Sequence, residues 1–503
     1  MLKIKRALIS VWNKVGIVEF SKKLLEFNIE IISTGKTASI LRKAGIPVRD
    51  VSSFTSFPEI LSGRVKTLHP KIFGGILANK KHPLHIEEIK NLEIEPIDMV
   101  VVNFYPFADA REDITFDERL EYIDIGGPAL LRAAAKNFKN VACISSISQY
   151  NPIAEELERN KGFLSDETLK KLACDVFYLT KEYDNCIYGF LAQKDLTSFN
   201  FEKIKDLRYG ENPHQKASLY KLVNSDILSF NQIQGKEISF NNILDLDTAI
   251  SLLREFSEPA AVIVKHASIC SAAIDKKLSL AYKKAYLTDT LSSFGGIVAL
   301  NRKVDKDTAK IILDSGFKEC IIAPAFAKEA LKLFSSKKNL IVLEMDINRI
   351  ISDFKDIRAT SFGYLIQDRD NILYDKNSFK IPTKRKPSKR ELEDLFFALK
   401  VVKYVKSNAI VVAKNNVTLG IGGGQPSRVG SVKIALSRKI NYNGSVLASD
   451  GFFPKEDSIK LAKKHKISAI IQPGGSIKDE DIIKLCDLYG ISMVFTNIRH
   501  FRH

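Results

Sequence analysis

Short apolar runs alternate with amphipathic segments along the first 150 residues of this chain. Residues 15–25 and 37–44 repeat their apolar positions with the spacing of a helix. The intervening runs are rich in Val, Ile and Leu, as buried strands are, and lie at 7–12, 29–33, 98–103 and 141–144. Strands that alternate with helices predict a parallel sheet and therefore an α/β domain.

The remainder of the chain also has a mixed α/β pattern. Residues 151–195 are expected to be mostly helical, and a polar stretch at 194–200 marks a domain boundary. We therefore expect one domain at 1–197 and a second region at 198–503, which a basic linker divides into subdomains of about 198–380 and 381–503. Further strands are predicted near 260–264, 295–300, 340–345, 409–413, 445–448 and 468–472.

Lys265 and His266 directly follow the apolar run at 260–264. A short β-branched run of this kind predicts a buried, parallel strand. Ligands of open α/β sheets bind beyond the carboxyl ends of such strands, so the pair is a candidate for proton transfer on a bound substrate. The alternative is a surface lysine beside a core histidine, and the pair alone favours that alternative.

Length and composition restrict the class of protein. A chain of 503 residues is too long for a single core, and its 45% hydrophobic content is ordinary for globular domains. Apolar stretches stay well short of the about 20 residues that a membrane helix needs, and the N-terminus resembles a first strand more than a signal peptide. The six cysteines are scattered without zinc-site spacing, which favours a reduced, cytoplasmic protein without a metal.

The formal charge of +17 is compatible with nucleic acid, a membrane surface or anionic small molecules as partners. Its lysines are dispersed, and the densest patch, 384–390, is expected to be a solvated loop before a helix. Ser388 and Glu391 have the spacing of a capping box at the start of that helix. A basic nucleic-acid-binding protein remains an alternative, although no recognisable motif supports it.

Polar segments of the first domain suggest an anion site. Residues 33–37 join a strand to a helix with hydroxyl groups, a glycine and a lysine, which suits phosphate. The loop at 62–70 adds Arg64 and Lys66, Tyr105 follows a predicted strand, and Asp124 precedes a Gly-Gly helix start. Each feature alone also has a purely structural explanation.

Together these segments resemble the cyclohydrolase domain of the bifunctional purine-biosynthesis family phosphoribosylaminoimidazolecarboxamide (AICAR) formyltransferase/IMP cyclohydrolase. The resemblance is carried by Gly-Arg-Val-Lys-Thr-Leu-His-Pro at 63–70, Asp-Ile-Gly-Gly at 124–127 and Leu-Leu-Arg-Ala-Ala-Ala-Lys-Asn at 130–137. It implies a fold like methylglyoxal synthase and closure of the formylated ribotide (FAICAR) to inosine monophosphate (IMP). In that reaction the carboxamide nitrogen attacks the formyl carbon and water leaves.

The resemblance also implies roles for residues of this domain. Lys66 would assist the oxyanion or the leaving group, while Tyr105, Asp124 and Lys136 would relay protons. Trp12 and Asn13 depart from the family, which often has a small residue and an Asp there. The residues expected to hold the nucleotide are Ser10, Lys14, Thr34, Lys36, Thr37, Arg64, Thr67, Gly126 and Gly127.

The second region contains polar and glycine-rich segments. A polar loop at 206–215 is either a surface or a binding loop, and the glycines at 292–296 permit close approach to a ligand. The run at 420–428 fails the dinucleotide fingerprint because Gln425 replaces its third glycine, so close packing or a pterin-side loop is expected. The Arg/His tail at 499–503 is of a kind that usually frays.

These segments resemble the family's transformylase domain, so the resemblance covers nearly the whole chain. Its motifs lie at 206–215, 405–411, 448–454, 472–476 and 499–503. It implies two cytidine-deaminase-like subdomains without zinc ligands, and formyl transfer from the co-substrate 10-formyltetrahydrofolate to the amine of AICAR. It also implies a homodimer with this site between subunits.

The resemblance assigns roles in formyl transfer. His266 would be the general base, Lys265 the cationic partner and Asn408 an oxyanion donor, while His503 would assist the base. Arg208 and Arg499 would bind the phosphate. Further substrate contacts are expected at Tyr209, Asn242, Gly295, Asp346 and Asp450.

The chain departs from the family beside the Lys-His pair. The family's Pro and Gly are missing from 267–271, and its Asp-Pro is replaced by Asp289 and Thr290. We expect a less rigid loop at 267–271, with the acid-base pair intact. A paralogue that keeps only the cyclohydrolase is therefore a second alternative.

Overall fold

A computed structural model describes residues 1–105, 107, 114–223, 225–227, 229–349, 355–374 and 379–503. The chain divides into two compact units, Met1–Ser198 and Phe199–His503. Within the described residues every helix is too short or too polar to span a bilayer.

The first unit is built on a parallel sheet of the order β4-β3-β2-β5-β6. This arrangement confirms the predicted α/β domain, and the predicted strands agree with the observed ones to within a residue or two. β1 and β7 form a separate antiparallel pair. The strands are β1 Leu2–Lys3, β2 Arg6–Val11, β3 Glu30–Ser33, β4 Arg49–Asp50, β5 Met99–Asn103, β6 Ala142–Ile144 and β7 Phe163–Leu164.

Helices on this sheet bury a single apolar core, to which the middle residues of β2 and β5 contribute fully buried side chains. The helices are α1 Ile17–Glu26, α2 Gly35–Lys43, α3 Val51–Thr55, α4 Pro70–Leu77, α5 Pro83–Asn91, α6 Phe116–Leu120, α7 Gly126–Lys136, α8 Tyr150–Arg159 and α9 Asp166–Ala192.

The second unit contains one mixed sheet of the order β10-β15-β14-β13-β11-β12-β19-β18-β20-β21-β22, and two separate hairpins, β8-β9 and β16-β17. The strands are β8 Phe201–Leu207, β9 Ala217–Leu222, β10 Asn231–Gln234, β11 Ala260–Lys265, β12 Ser268–Ile274, β13 Ile297–Leu300, β14 Cys320–Ala323, β15 Ile341–Glu344, β16 Lys355–Thr360, β17 Gly363–Asp368, β18 Ile410–Lys414, β19 Val417–Gly422, β20 Val446–Ser449, β21 Ala469–Gln472 and β22 Ser492–Phe495.

Helices cover both faces of this sheet. Alternate residues of β11 enter different cores, with Val262 and Val264 on one face and Ala261 and Ile263 on the other. This alternation follows from the period of two along a strand. The helices are α10 Phe240–Leu253, α11 Leu278–Thr288, α12 Lys306–Asp314, α13 Lys328–Phe334, α14 Lys389–Val402, α15 Arg428–Ala435, α16 Asp457–Lys464 and α17 Asp479–Tyr489.

The large sheet consists of two halves with the same arrangement. In each half a helix precedes an antiparallel hairpin, β11-β12 or β18-β19, and three parallel strands follow. The halves join where β12 pairs with β19, and the Thr418 hydroxyl bonds to the N–H and carbonyl of Ala272 there. The two halves therefore share one continuous sheet.

The prediction that the strand before Lys265 is parallel is wrong. β11 is antiparallel to both of its neighbours, β12 and β13. Lys265 therefore lies at a hairpin turn beside the start of β13, and not beyond the carboxyl ends of parallel strands. The expected loop at 267–271 is also wrong, because β12 begins at Ser268.

Packing explains the glycines of the 420–428 run and orders the C-terminal tail. A Cβ atom on Gly420 or Gly422 would lie 1.9 or 2.1 Å from a carbonyl oxygen of α15, so these glycines permit close strand–helix packing. The C-terminal tail is packed and not frayed, because buried His500 bonds to Asp370 at 2.7 Å and to the Leu373 carbonyl at 2.8 Å. The predicted capping box at Ser388 is present at the start of α14.

Candidate functional sites

The first candidate site lies where β2, β3 and the start of α2 meet. Burial lowers the pKa of Lys14 there, and the nearby positive charges of Lys36 and Lys66 lower it further. The Lys14 ammonium donates to the carbonyl groups of Val11 and Trp12. Like charges gathered in this way attract an anion such as a phosphate group.

The hydroxyl residues of this region differ in their availability. Thr34 is the N-cap residue of α2, and its side chain makes no capping hydrogen bond. The buried Thr37 hydroxyl donates to the Val11 carbonyl at 3.1 Å and accepts the Val11 N–H at 3.3 Å, so it fixes β2 against α2. Ser10 lies on β2 and is partly buried.

The start of α7 is organised by Asp124. Its Oδ1 accepts the N–H of Gly127 at 2.9 Å, and a Cβ atom on Gly127 would lie 2.6 Å from its Oδ2. Buried Thr67 lies beside Gly126. Arg64, in contrast, is exposed and pairs with Glu121. The structure therefore brings Thr67, Asp124 and the two glycines together.

Aromatic rings surround Tyr105. Its ring centroid lies 4.9 Å from that of Trp12 and 4.7 Å from that of Tyr122. Trp12 is 52% exposed and lies two residues before Lys14 in the chain. The N–H of Asn13 donates to Asn103 Oδ1 at 2.8 Å, which fixes the backbone that carries Trp12.

Lys136 lies at the opposite end of α7 from Asp124. Lys136 is the tenth residue after Gly126 along this helix, which corresponds to a rise of about 15 Å at 1.5 Å per residue. The structure thus does not join Lys136 to Asp124 directly, although the sequence assigns both to one relay.

The second candidate site lies at the β11-β12 turn. His266 and Ala267 occupy its two central positions in left-handed conformations, with φ of 55° and 52°. The N–H of Ala267 donates to Asp245 on α10. Burial raises the pKa of that Asp245 carboxyl, and the N–H groups of Ala267 and His266 oppose the shift.

The second half of the sheet uses the same device at the β18-β19 turn. Asn415 and Asn416 have φ of 56° each, and the N–H of Asn416 donates to Asp394 of α14 at 2.6 Å. Asparagine and histidine adopt this left-handed conformation more readily than most other non-glycine residues, whereas alanine does not. The backbone conformation of the equivalent turn is therefore compatible with His266.

Lys265 and His266 line a cavity of about 710 Å³. Its wall is partly apolar and includes a cation–carboxylate pair. The Lys265 ammonium donates to the Phe294 carbonyl at 2.8 Å, next to Gly295, which has a φ of 72°. The remaining lining residues are Ser268, Ile269, Cys270, Asp289, Leu291, Ser292, Phe294, Ile421 and Arg438.

Asn408 belongs to a buried polar cluster around Arg428. Arg428 donates to Asn408 Oδ1 at 2.9 Å and pairs with fully buried Asp450. The Asn408 Nδ2 donates to the carbonyl groups of Gln425 and Pro426 at 2.9 and 3.3 Å. Asn408 is therefore held firmly, and both its donor hydrogens are used.

The other predicted contacts are dispersed over the second unit. Arg208 is exposed and donates to the hydroxyl of Tyr209 at 2.8 Å. Asn242 is buried in the capping box of α10, and exposed Asp346 lines a separate cavity of about 590 Å³.

Arg499 stacks on Phe501, with 4.2 Å between its guanidinium carbon and the ring centroid. His503 is exposed, and its carbonyl accepts from Arg358 at 2.8 Å.

Some residues of these sites carry no clear signal in the sequence. Arg428 and Arg438 are ordinary basic residues until the fold places Asp450 and Asp289 beside them. Tyr122 likewise meets Tyr105 only through tertiary structure. A local pattern does not report a partner that is more than 15 residues away.

Comparisons with known proteins place both units in described families. Residues 134–438 match the model of the AICARFT/IMPCHase bienzyme, and residues 16–129 match that of the MGS-like domain.

Curated relatives match over almost the entire chain. Proteins named bifunctional purine biosynthesis protein PurH, from Bacillus thuringiensis subsp. konkukian, Bacillus cereus (strain AH187) and Bacillus anthracis (strain CDC 684), are each 49% identical over 99% of this chain and 100% of their own. A solved structure described as the crystal structure of ForH covers 38% of this chain and 100% of its own at 30% identity, with a TM-score of 0.36. That score is too low to support an argument about the fold.

We predict that Cys270 is an unreactive thiol although it lines the cavity. Burial raises its pKa to about 12, so almost none of it is thiolate at pH 8. Peptide mapping after timed treatment with iodoacetamide should find exposed Cys174 and Cys186 alkylated at least about 10-fold faster than Cys270. Alkylation of Cys270 at the rate of Cys174 would contradict the prediction.

Proposed function

This chain belongs to the AICARFT/IMPCHase bienzyme family, and we propose how its residues divide the two reactions of that family between them. The protein is a bifunctional enzyme of purine biosynthesis, an AICAR formyltransferase joined to an IMP cyclohydrolase. The observation that carries the proposed division is that one chain holds two separate polar clusters, each within its own unit.

We assign ring closure to residues 1–197. Lys14, Lys36 and the start of α2 bind the phosphate of the formylated ribotide, since the positive charges near Lys14, which include Lys66, favour a dianion. Thr37 supports this cradle from within the core, and Ser10, Thr34, Arg64 and Thr67 complete the nucleotide contacts. Gly126 and Gly127 allow the substrate to approach the start of α7 closely.

Closure requires a proton to leave the carboxamide nitrogen as this nitrogen attacks the formyl carbon. The formyl oxygen becomes a hydroxyl group, which then leaves as water. Lys66 stabilises the developing oxyanion, and Tyr105 with Asp124 moves protons at the reacting atoms. Lys136 takes part through an intervening group, because α7 separates it from Asp124.

We assign formyl transfer to residues 198–503, with 10-formyltetrahydrofolate as the donor. The amine of AICAR attacks the formyl carbon, and His266 takes the proton that the amine loses. The bond from that carbon to the folate nitrogen then breaks, and protonated Lys265 supplies a proton to the departing nitrogen. A cavity of about 710 Å³ with a partly apolar wall beside both side chains suits a flat aromatic donor.

The polar cluster around Arg428 supports the oxyanion. Asn408 donates to it after exchanging one carbonyl partner for the substrate, while Arg428 and Asp450 keep the amide oriented. Arg208 and Arg499 bind the ribotide phosphate, His503 assists the base, and the remaining contacts come from Tyr209, Asn242, Gly295 and Asp346.

We also propose that the protein works in the cytoplasm as a homodimer with the transformylase site between subunits. All six cysteine thiols are free, as in a reducing compartment. The β16-β17 hairpin exposes Phe362, Tyr364 and Leu365, and exposed apolar side chains of this kind favour a partner. Arg358 of this hairpin bonds to the His503 carbonyl, which links the tail to the same surface.

Sedimentation tests the homodimer. The 56.4 kDa chain should sediment with twice its mass at micromolar concentration, and Leu365→Asp should shift it towards the monomer. The variant should then lose formyl transfer and keep ring closure, because only the former site needs both subunits. A wild-type monomer with full formyl transfer would contradict the proposal.

The two reactions should be separable by substitution. His266→Asn keeps a residue that tolerates the left-handed turn, so the fold should persist while the base is lost. We expect formyl transfer to fall by at least about 100-fold, with cyclisation of supplied formyl-ribotide unchanged. Lys66→Ala should do the reverse in the same pair of assays.

The matched control is Asn415→His, which makes the opposite exchange at the equivalent turn of the second half. It should leave both activities within about twofold, since a change far from any reacting group has little effect on a rate. Loss of both activities in a folded His266→Asn protein would show that the sites are not separate. Neither alternative, a cyclohydrolase-only paralogue or a nucleic-acid-binding protein, is favoured by the comparisons.

A further inference from the structure

One ion pair of the formyl-transfer cavity has no role in the chemistry assigned above. Arg438, just beyond α15, donates to Asp289 and to the Thr288 carbonyl at the end of α11. Both side chains are largely buried, with 27% and 17% exposure. A charged fork of this kind restricts its partners more than a single hydrogen bond does.

Asp289 connects Arg438 to the loop that follows residue 289. Its Oδ2 faces Arg438, and its Oδ1 accepts the N–H of Ser292 at 2.9 Å. The N–H of Ser293 donates to the Asp289 carbonyl at 3.1 Å. Asp289 thus closes the first turn of the loop, and its carboxylate is held by Arg438, which belongs to the other half of the sheet.

The same loop ends at the candidate catalytic lysine. The Phe294 carbonyl accepts from the Lys265 ammonium at 2.8 Å, and the N–H of Gly295 donates to the Phe317 carbonyl at 2.9 Å. A continuous series of contacts therefore connects Arg438, Asp289, the 292–294 segment and Lys265. The direction of the Lys265 ammonium depends on where this loop sets the Phe294 carbonyl.

Because residue 290 is a threonine, the 289–294 loop needs a side chain to restrain it. Thr290 stands where a proline is expected from the family resemblance, so the backbone lacks the rigidity that a fixed φ provides. Asp289, which precedes Thr290, has φ −146° and ψ 81°.

We propose that Arg438 is a positioning residue for formyl transfer, which holds the 289–294 loop so that the Phe294 carbonyl keeps the Lys265 ammonium at the reacting atoms. The proposal rests on the assignment of formyl transfer to this cavity. Arg438 acts through Asp289 and the loop, so its loss affects the rate of the chemical step more than the binding of substrate.

The test measures kcat and KM for both reactions in the full-length chain. Arg438→Ala should lower kcat for formyl transfer by about 10- to 100-fold, as expected when a reacting group is displaced by about 1 Å. KM for AICAR and for the folate should stay within about threefold, and cyclisation should be unchanged.

Two further variants keep the test decisive. Arg302 donates to the carbonyl groups of Asn301 and Ser257 at the far end of β13, so Arg302→Ala controls for the loss of an arginine that binds backbone. It should retain wild-type kcat. Asp289→Asn preserves side-chain size and the acceptor for Ser292 but removes the charge, and it should reproduce the fall in kcat even if Arg438→Ala does not fold.

Two results would overturn the proposal. A raised KM with unchanged kcat in Arg438→Ala would make Arg438 a substrate contact. Wild-type kcat in Asp289→Asn would show that the ion pair between Arg438 and Asp289 does not position Lys265. Absence of formyl transfer in the wild-type enzyme would instead overturn the assignment of the cavity, and this proposal with it.

Discussion

The β11-β12 hairpin of the second unit depends on a carboxylate that fixes its two-residue turn. Asp245 binds the backbone N–H at Ala267, and this contact holds His266 and Ala267 in conformations that cost about 1 kcal/mol or more for non-glycine residues. The surrounding sheet also fixes the two strands that flank the turn, because β11 pairs with β13 and β12 pairs with β19. Asp394 does the same at the turn of Asn415 and Asn416. The enzyme thus uses one structural device twice and places an imidazole at only one of the turns.

Charged side chains are arranged differently in the two units. The first gathers Lys14, Lys36 and Lys66 around a helix start, where their mutual repulsion favours an anionic ligand. In the second unit the Lys265 ammonium donates to a backbone carbonyl in a partly apolar cavity, and Arg438 and Arg428 pair with Asp289 and Asp450. Positive charge is therefore grouped near α2 in the first unit and is paired with carboxylates at Arg428 and Arg438 in the second.

Most of the elements could be predicted from the sequence, because buried strands such as Arg6–Val11 and Met99–Asn103 are continuous apolar runs. The direction of Ala260–Lys265 could not, since an apolar run looks the same in a parallel strand and in a central antiparallel one. The strand Ser268–Ile274 was missed for a related reason, as its small and polar residues resemble a loop. Arg438 was missed because its partner is 149 residues away, and only the fold brings the two together.

The central claim is that one chain carries both reactions in separate sites. The most direct measurement supplies the wild-type enzyme with AICAR and 10-formyltetrahydrofolate and follows tetrahydrofolate and inosine monophosphate together. Both products should form in equal amounts, and formyl-ribotide supplied without folate should also be cyclised. Absence of both products would contradict the account as a whole. Cyclisation of formyl-ribotide without any release of tetrahydrofolate would contradict the site assigned around Lys265 and His266.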